Sequence, residues 1–112
     1  MNPENDLTGK QCKLCAPGTP PLSNFEADSL MRQLQGWQRY DHIISRTYHF
    51  KNYYETIAFV NAVAWLSHSE DHHPDLAVSY NKCQVEYSTH SIHGLSENDF
   101  ICAAKVNALF KL

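Results

Sequence analysis

The sequence predicts an α+β domain in the order α-β-β-α-β-β-α, a four-stranded antiparallel sheet with its helices packed on one face. Three observations carry this reading. Helix-start signals stand at Ser23, Asn52 and Ser96, and two pairs of segments rich in β-branched and aromatic residues lie between them. The length of 112 residues suits a single core.

Residues 1–22 contain Pro3, Gly9, Pro17, Gly18, Pro20 and Pro21 with little periodicity. They read as a flexible leader whose removal is expected to leave the domain intact, and residues 23–112 read as the folded domain. In Ser23-Asn24-Phe25-Glu26 the hydroxyl can satisfy a free helix N–H while the glutamate reaches back to the Ser23 amide, which opens a helix over about 24–35. Leu30, Met31 and Leu34 form its apolar stripe, and Gly36 is placed to end it in a left-handed conformation. Trp37 to Tyr40 and Ile43 to Phe50 then read as a hairpin turning at Asp41-His42, with Ile44, Arg46, Tyr48 and Phe50 on one face.

Asn52-Tyr53-Tyr54-Glu55 opens the longest helix, where Ile57, Val60, Val63 or Ala64, and Ser67 recur at helical spacing until about Ser69. Leu76 to Tyr80 and Cys83 to Thr89 read as a second hairpin around Asn81-Lys82. Val85, Tyr87 and Thr89 alternate there with Gln84, Glu86 and Ser88, the pattern of a sheet with one wet face. Ser96-Glu97-Asn98-Asp99 opens the last helix, which carries Phe100, Ala103 or Ala104, and Asn107 or Ala108 on the helical period.

Nine basic against twelve acidic side chains give a net charge near −3, which provides no field for a phosphate backbone, so no direct nucleic-acid partner is expected. No apolar run reaches the roughly 18–20 residues of a membrane span, and the first residues show no basic-then-apolar targeting pattern, so a cytoplasmic protein is expected. Of the four cysteines, Cys12 and Cys15 form a C-x-x-C pair while Cys83 and Cys102 stand singly. The pair suits half of a zinc site, but no second half follows at finger-like spacing, and the cysteines read as reduced thiols, those of the leader being incidental.

Seven histidines are present, and His68, His72, His73 and His90 all fall at or beside predicted element ends, where functional side chains gather. Pro74 stops the long helix and biases His73 toward an extended backbone, so two adjacent imidazoles are held in a turn. Taken singly, each has a plain structural reading, since imidazolium suits a helix C-terminus and His90 suits a solvated strand end.

Their spacing is more specific. His72-His73-Pro74 is followed by Tyr80 after five residues, His90 after nine more and Asp99 after eight more. With His49-Phe50-Lys51-Asn52-Tyr53, Tyr80-Asn81-Lys82, Ser88-Thr89-His90 and Gly94-Leu95-Ser96-Glu97-Asn98-Asp99, the chain resembles the pterin-4a-carbinolamine dehydratases over about residues 24–110. The resemblance implies that His72, His73 and His90 line a pterin pocket and supply acid/base groups. It departs from the family pattern at His68, where an acidic residue is common, and at Leu76, where an aromatic is common. Asp99 also belongs to the pattern, but its place at the third position of a helix makes capping a sufficient account of it. Tyr80 and Lys82 read as sheet packing and turn solvation.

The implied reaction is dehydration of 4a-hydroxytetrahydropterin to quinonoid dihydropterin, recycling the pterin of an aromatic amino-acid hydroxylase. Imidazole can act as both acid and base near neutral pH, so no metal and no cofactor is expected, the pterin being substrate. The resemblance also implies a homo-oligomer, dimer or tetramer, and leaves open a non-enzymatic, partner-binding role on the same fold. A metal site using His68 and His72, one helical turn apart, with His73 or His90 is the remaining reading.

Overall fold

The computed structural model describes residues 6–110. Its elements are α1 (Asn24–Met31), β1 (Gln38–Tyr40), β2 (Ile43–His49), α2 (Tyr53–Glu70), β3 (Asp75–Val78), β4 (Lys82–Tyr87) and α3 (Glu97–Phe110), with short 3-10 turns at Leu7–Gly9 and His90–Ile92. The strands make one antiparallel sheet in the order β1-β2-β4-β3. The fold is the α+β arrangement expected.

The pleat explains the layering. Ile44 opposes Tyr87, Arg46 opposes Val85 and Tyr48 opposes Cys83, so these side chains share the face covered by the helices. All are buried except Arg46. Its guanidinium lies over the Tyr48 ring, 4.4 Å from the centroid, and donates to Gln35 O at 2.8 Å and Asn107 Oδ1 at 2.7 Å. Asn107 Oδ1 also accepts from Trp37 Nε1 at 3.0 Å and from the Tyr48 hydroxyl, which makes this α3 side chain the polar tie of the aromatic core. Polar Thr47, Gln84 and Glu86 occupy the other face.

The start signals of α1 and α2 form bonds as anticipated, with one difference of extent and one of phase. Ser23 and Glu26 make the complete reciprocal cap, at 3.1 and 2.9 Å. α1 stops at Met31 rather than near residue 35, because the next amides turn to tighter bonds, Gln33 N to Leu30 O and Leu34 N to Met31 O. Gly36 then takes φ +81°, and a Cβ there would meet the Arg46 guanidinium at 2.7 Å, so both conformation and space call for glycine. Asn52 caps α2 by accepting from the Glu55 amide at 2.9 Å. The buried face of α2 is Thr56, Phe59 and Val63, rotated from the Ile57–Val60 stripe. Thr56 is tolerated in the core because its hydroxyl donates to Asn52 O and Tyr80 O, at 3.0 and 2.9 Å.

Two departures bear on the site. The second hairpin is shorter than expected, and the chain leaves the ladder after Tyr87. Thr89 pairs instead with Gly94 around the 3-10 turn, with His93 left-handed at φ 56°, so His90 begins a turn and does not close a strand. The second departure corrects the expectation that the leader adds nothing to the core. Leu7 is buried in the core cluster, Lys10 Nζ meets Glu97 at 3.3 Å, and the Cys12 amide donates to Glu70 Oε1 at 2.8 Å. Lys13 and Asn98 exchange two further bonds, Lys13 N to Asn98 Oδ1 at 2.9 Å and Asn98 Nδ2 to Lys13 O at 2.6 Å. Every partner is distant in sequence, so no local pattern could reveal the strap.

Candidate active site

The C-terminus of α2, the chain leaving β4, the first turn of α3 and residues 12–15 enclose a cleft of about 360 Å³. His72, His73 and His90 all line it. Asp71, left-handed at φ 52°, turns the chain sharply out of α2, and the His72 amide returns to Ser67 O at 3.2 Å. This turn puts the His72 ring against the domain while His73, next in sequence, is exposed. His90 reaches the same cleft from the 3-10 turn and is likewise exposed.

His72 is the anchored member of the three. Its ring lies parallel to that of buried Tyr87, with centroids 5.6 Å apart and 10° between planes. Nε2 meets Asp99 Oδ1 at 2.7 Å, and the Asp99 side chain is fully buried. The other oxygen of Asp99 accepts from Thr89 Oγ1 at 2.8 Å and from the Ser96 amide at 3.0 Å. Burial works against the His72 imidazolium, but the hydrogen bond and charge of Asp99 outweigh it and hold the ring's pKa above its ordinary value. In the neutral ring the carboxylate selects the tautomer with hydrogen on Nε2, which leaves the Nδ1 lone pair free of that bond.

Capping is therefore only half of Asp99's role. It does take the Ser96 amide, as a capping residue should, yet the Ser96 hydroxyl faces Thr89 Oγ1 at 2.7 Å in place of completing the box. The family spacing already contained Asp99, eight residues after His90, and that was the available signal for its contact with His72. His68 stands apart on the exposed flank of α2, beside Trp65 with ring centroids 5.6 Å apart.

The model of the family described as pterin 4 alpha carbinolamine dehydratase matches residues 20–109. The chain belongs to this family. A protein of Nitrosomonas eutropha named provisionally as a pterin-4-alpha-carbinolamine dehydratase is 66% identical over 105 residues, 93% of each chain. One from Nitrosospira multiformis, named in the same way, is 63% identical over 108 residues, 96% of each. Among solved structures, one described as a transcriptional coactivator/pterin dehydratase from Brucella melitensis aligns with TM-score 0.77 at 33% identity, covering 80% of this chain and 97% of that one.

Within this family domain, three features in and beside the cleft escaped the sequence. One is the Tyr87 ring under His72, which reads from the sequence as plain core. Another is the paired hydroxyls of Thr89 and Ser96 beside Asp99. The third is the wall made by Cys12, Lys13, Leu14 and Cys15, which belong to the supposed leader.

Proposed function

We propose that the protein dehydrates 4a-hydroxytetrahydropterin, with His72, His73 and His90 as its acid/base groups. The observation that carries the reading is the convergence of all three imidazoles on one cleft, with His72 bonded to buried Asp99. In the reaction the C4a–O bond breaks as the hydroxyl takes a proton and leaves as water. The N5 lone pair forms the new C=N bond, and a ring nitrogen then gives up a proton, so one acid and one base suffice. Asp99 favours protonated His72, which suits this ring to protonating the departing hydroxyl, and leaves the base to one of the other two imidazoles that line the cleft, His73 or His90. Support for the substrate comes from family membership and from the family's histidine spacing.

The direct test follows decay of freshly generated 4a-carbinolamine with and without the protein. The reading requires decay faster than the spontaneous rate, in proportion to enzyme, and lost in the variant carrying His72→Ala, His73→Ala and His90→Ala. A folded triple variant that dehydrates as fast as the natural chain would remove the acid/base assignment.

A further inference from the structure

The second chemical cluster of the molecule is made of sulfur. Cys12 Sγ and Cys102 Sγ lie 3.4 Å apart although 90 positions separate them in sequence. Cys12 is half-buried and lines the histidine cleft, whereas Cys102 is fully buried on α3. Cys15, two residues beyond Lys13, lines the same cleft and accepts from Asn98 Nδ2 at 3.8 Å. We infer that Cys12 and Cys102 form a reversible thiol–disulfide site that fastens the N-terminal strap to α3 at the wall of the histidine cleft.

The geometry requires little movement. A disulfide needs its sulfurs to close to about 2.0 Å, and these sulfurs are already in van der Waals contact. The strap can supply the shift, since its bonds here run from the Cys12 amide to the end of a Glu70 side chain and from residue 13 to the Asn98 side chain. The two sulfurs are also within hydrogen-bonding distance, and either can be the donor. The bond from Cys12 draws the Cys102 thiol down, against the burial that opposes it and with help from His72, while the same bond pushes Cys12 up. The thiolate is the form that attacks disulfides, and within this pair it is favoured at Cys102.

The oxidant is a low-molecular-weight disulfide, R–S–S–R, entering through the cleft. Cys12, the sulfur that the cleft admits, attacks one of its sulfurs as its own proton passes to the Cys102 thiolate, the R–S–S–R bond breaks, and the leaving thiolate takes up the proton Cys102 had released to water. The Cys102 thiolate then attacks the Cys12 sulfur of the mixed disulfide, which breaks the bond to R–S and releases the second thiol with the Cys102 proton. Two protein thiols are oxidised to one disulfide and one small disulfide is reduced to two thiols. In a reducing compartment the bond is transient, the behaviour of a redox-sensing pair.

Trypsin cuts after Lys13, between Cys12 and Cys15, and a glutamyl protease cuts after Glu97, between Cys83 and Cys102, so the partners can be told apart. The full chain is treated with oxidised glutathione, alkylated in denaturant, digested with both enzymes and mapped by mass spectrometry without reduction. Expected are a Cys12–Cys102 linked peptide, joint loss of alkylation at these two sites with Cys83 still alkylated, and full recovery after dithiothreitol. In the linked protein, tryptic cutting at Lys10 and Lys13 of the undenatured chain should be lost. Cys12→Ser, a near-isosteric change at a half-buried position on the edge of the core, should leave Cys102 fully alkylated. Cys12 linked to Cys15, a glutathione adduct persisting on Cys12 beside free Cys102, or no modification at all would each overturn the inference.

Discussion

The carboxylate of Asp99 spends one oxygen on Thr89 and Ser96 and the other on His72, so among the described residues the imidazole alone relieves that second oxygen in a fully buried place. The raised pKa of His72 means that the folded chain binds this proton more tightly than the unfolded chain. Its contribution to stability is therefore complete below histidine's ordinary value, about 6.5, and is lost as pH rises through the higher folded value. Thermal melts from mildly acidic to mildly alkaline pH should show a fall in Tm that is shallower in Asp99→Asn, and equal slopes would contradict the coupling. The same contact separates the three histidines by their structural cost. His72→Ala leaves a buried acceptor unpaired and should cost about 1–3 kcal/mol in urea unfolding. His73→Ala and His90→Ala, at exposed positions, should each cost under about 0.5 kcal/mol. Equal losses for all three would mean that Asp99 finds another partner. From sequence the three rings look alike, because an exposed and an anchored histidine are spelled the same way, and Asp99, which separates them, reads there as a cap.

The elements were legible where a start signal coincides with a local bond. Ser23 with Glu26, and Asn52 with the Glu55 amide, form within four residues, and both helices begin where the sequence placed them. Helix phase was harder to read. Ile57, Val60 and Val63 offer an apolar stripe, but the core takes Thr56 and Phe59 because Thr56 finds Tyr80 O across a loop and Phe59 meets the Tyr48 ring at 4.8 Å. The strap escaped altogether, since its hold depends on Glu70, Glu97 and Asn98, far along the chain. Leu7 supplies the test. It is 3% exposed and packs in the core cluster, so Leu7→Ala should cost about 2 kcal/mol or more. Deleting residues 1–21 should lower the urea midpoint by at least as much, and an unchanged midpoint would restore the reading of an idle leader.

At the scale of the molecule, the site exists because two hairpins meet through β2 and β4, which brings the exit of β4 beside the exit of α2 and the entrance of α3. His72-His73 and His90 belong to different loops, and neither the helix period nor the strand alternation says that these loops adjoin. The spacing shared with a family said so, and the sheet order supplies the physical reason. Among the described residues no helix is long and apolar enough to cross a membrane, and the described chain is one layer of sheet under helices with the cleft at one end. The kinetic consequence depends on that shared cleft. Positioned proton transfer typically contributes about 100-fold to 10,000-fold, so His72→Ala, His73→Ala and His90→Ala should each slow carbinolamine dehydration measurably within that range. Groups that serve one bond-breaking event fail together, so the triple variant should lose less than the product of the single losses. His68→Ala, on the far flank of α2 beside Trp65, should leave the rate unchanged. The rate should also fall at high pH in the natural chain, because deprotonated His72 is a poorer donor to the leaving hydroxyl, and the midpoint of that fall should move down in Asp99→Asn as the proton is held less tightly. A rate profile indifferent to Asp99→Asn, or single losses that multiply to give the triple, would mean that the three rings share a cleft without sharing the chemistry.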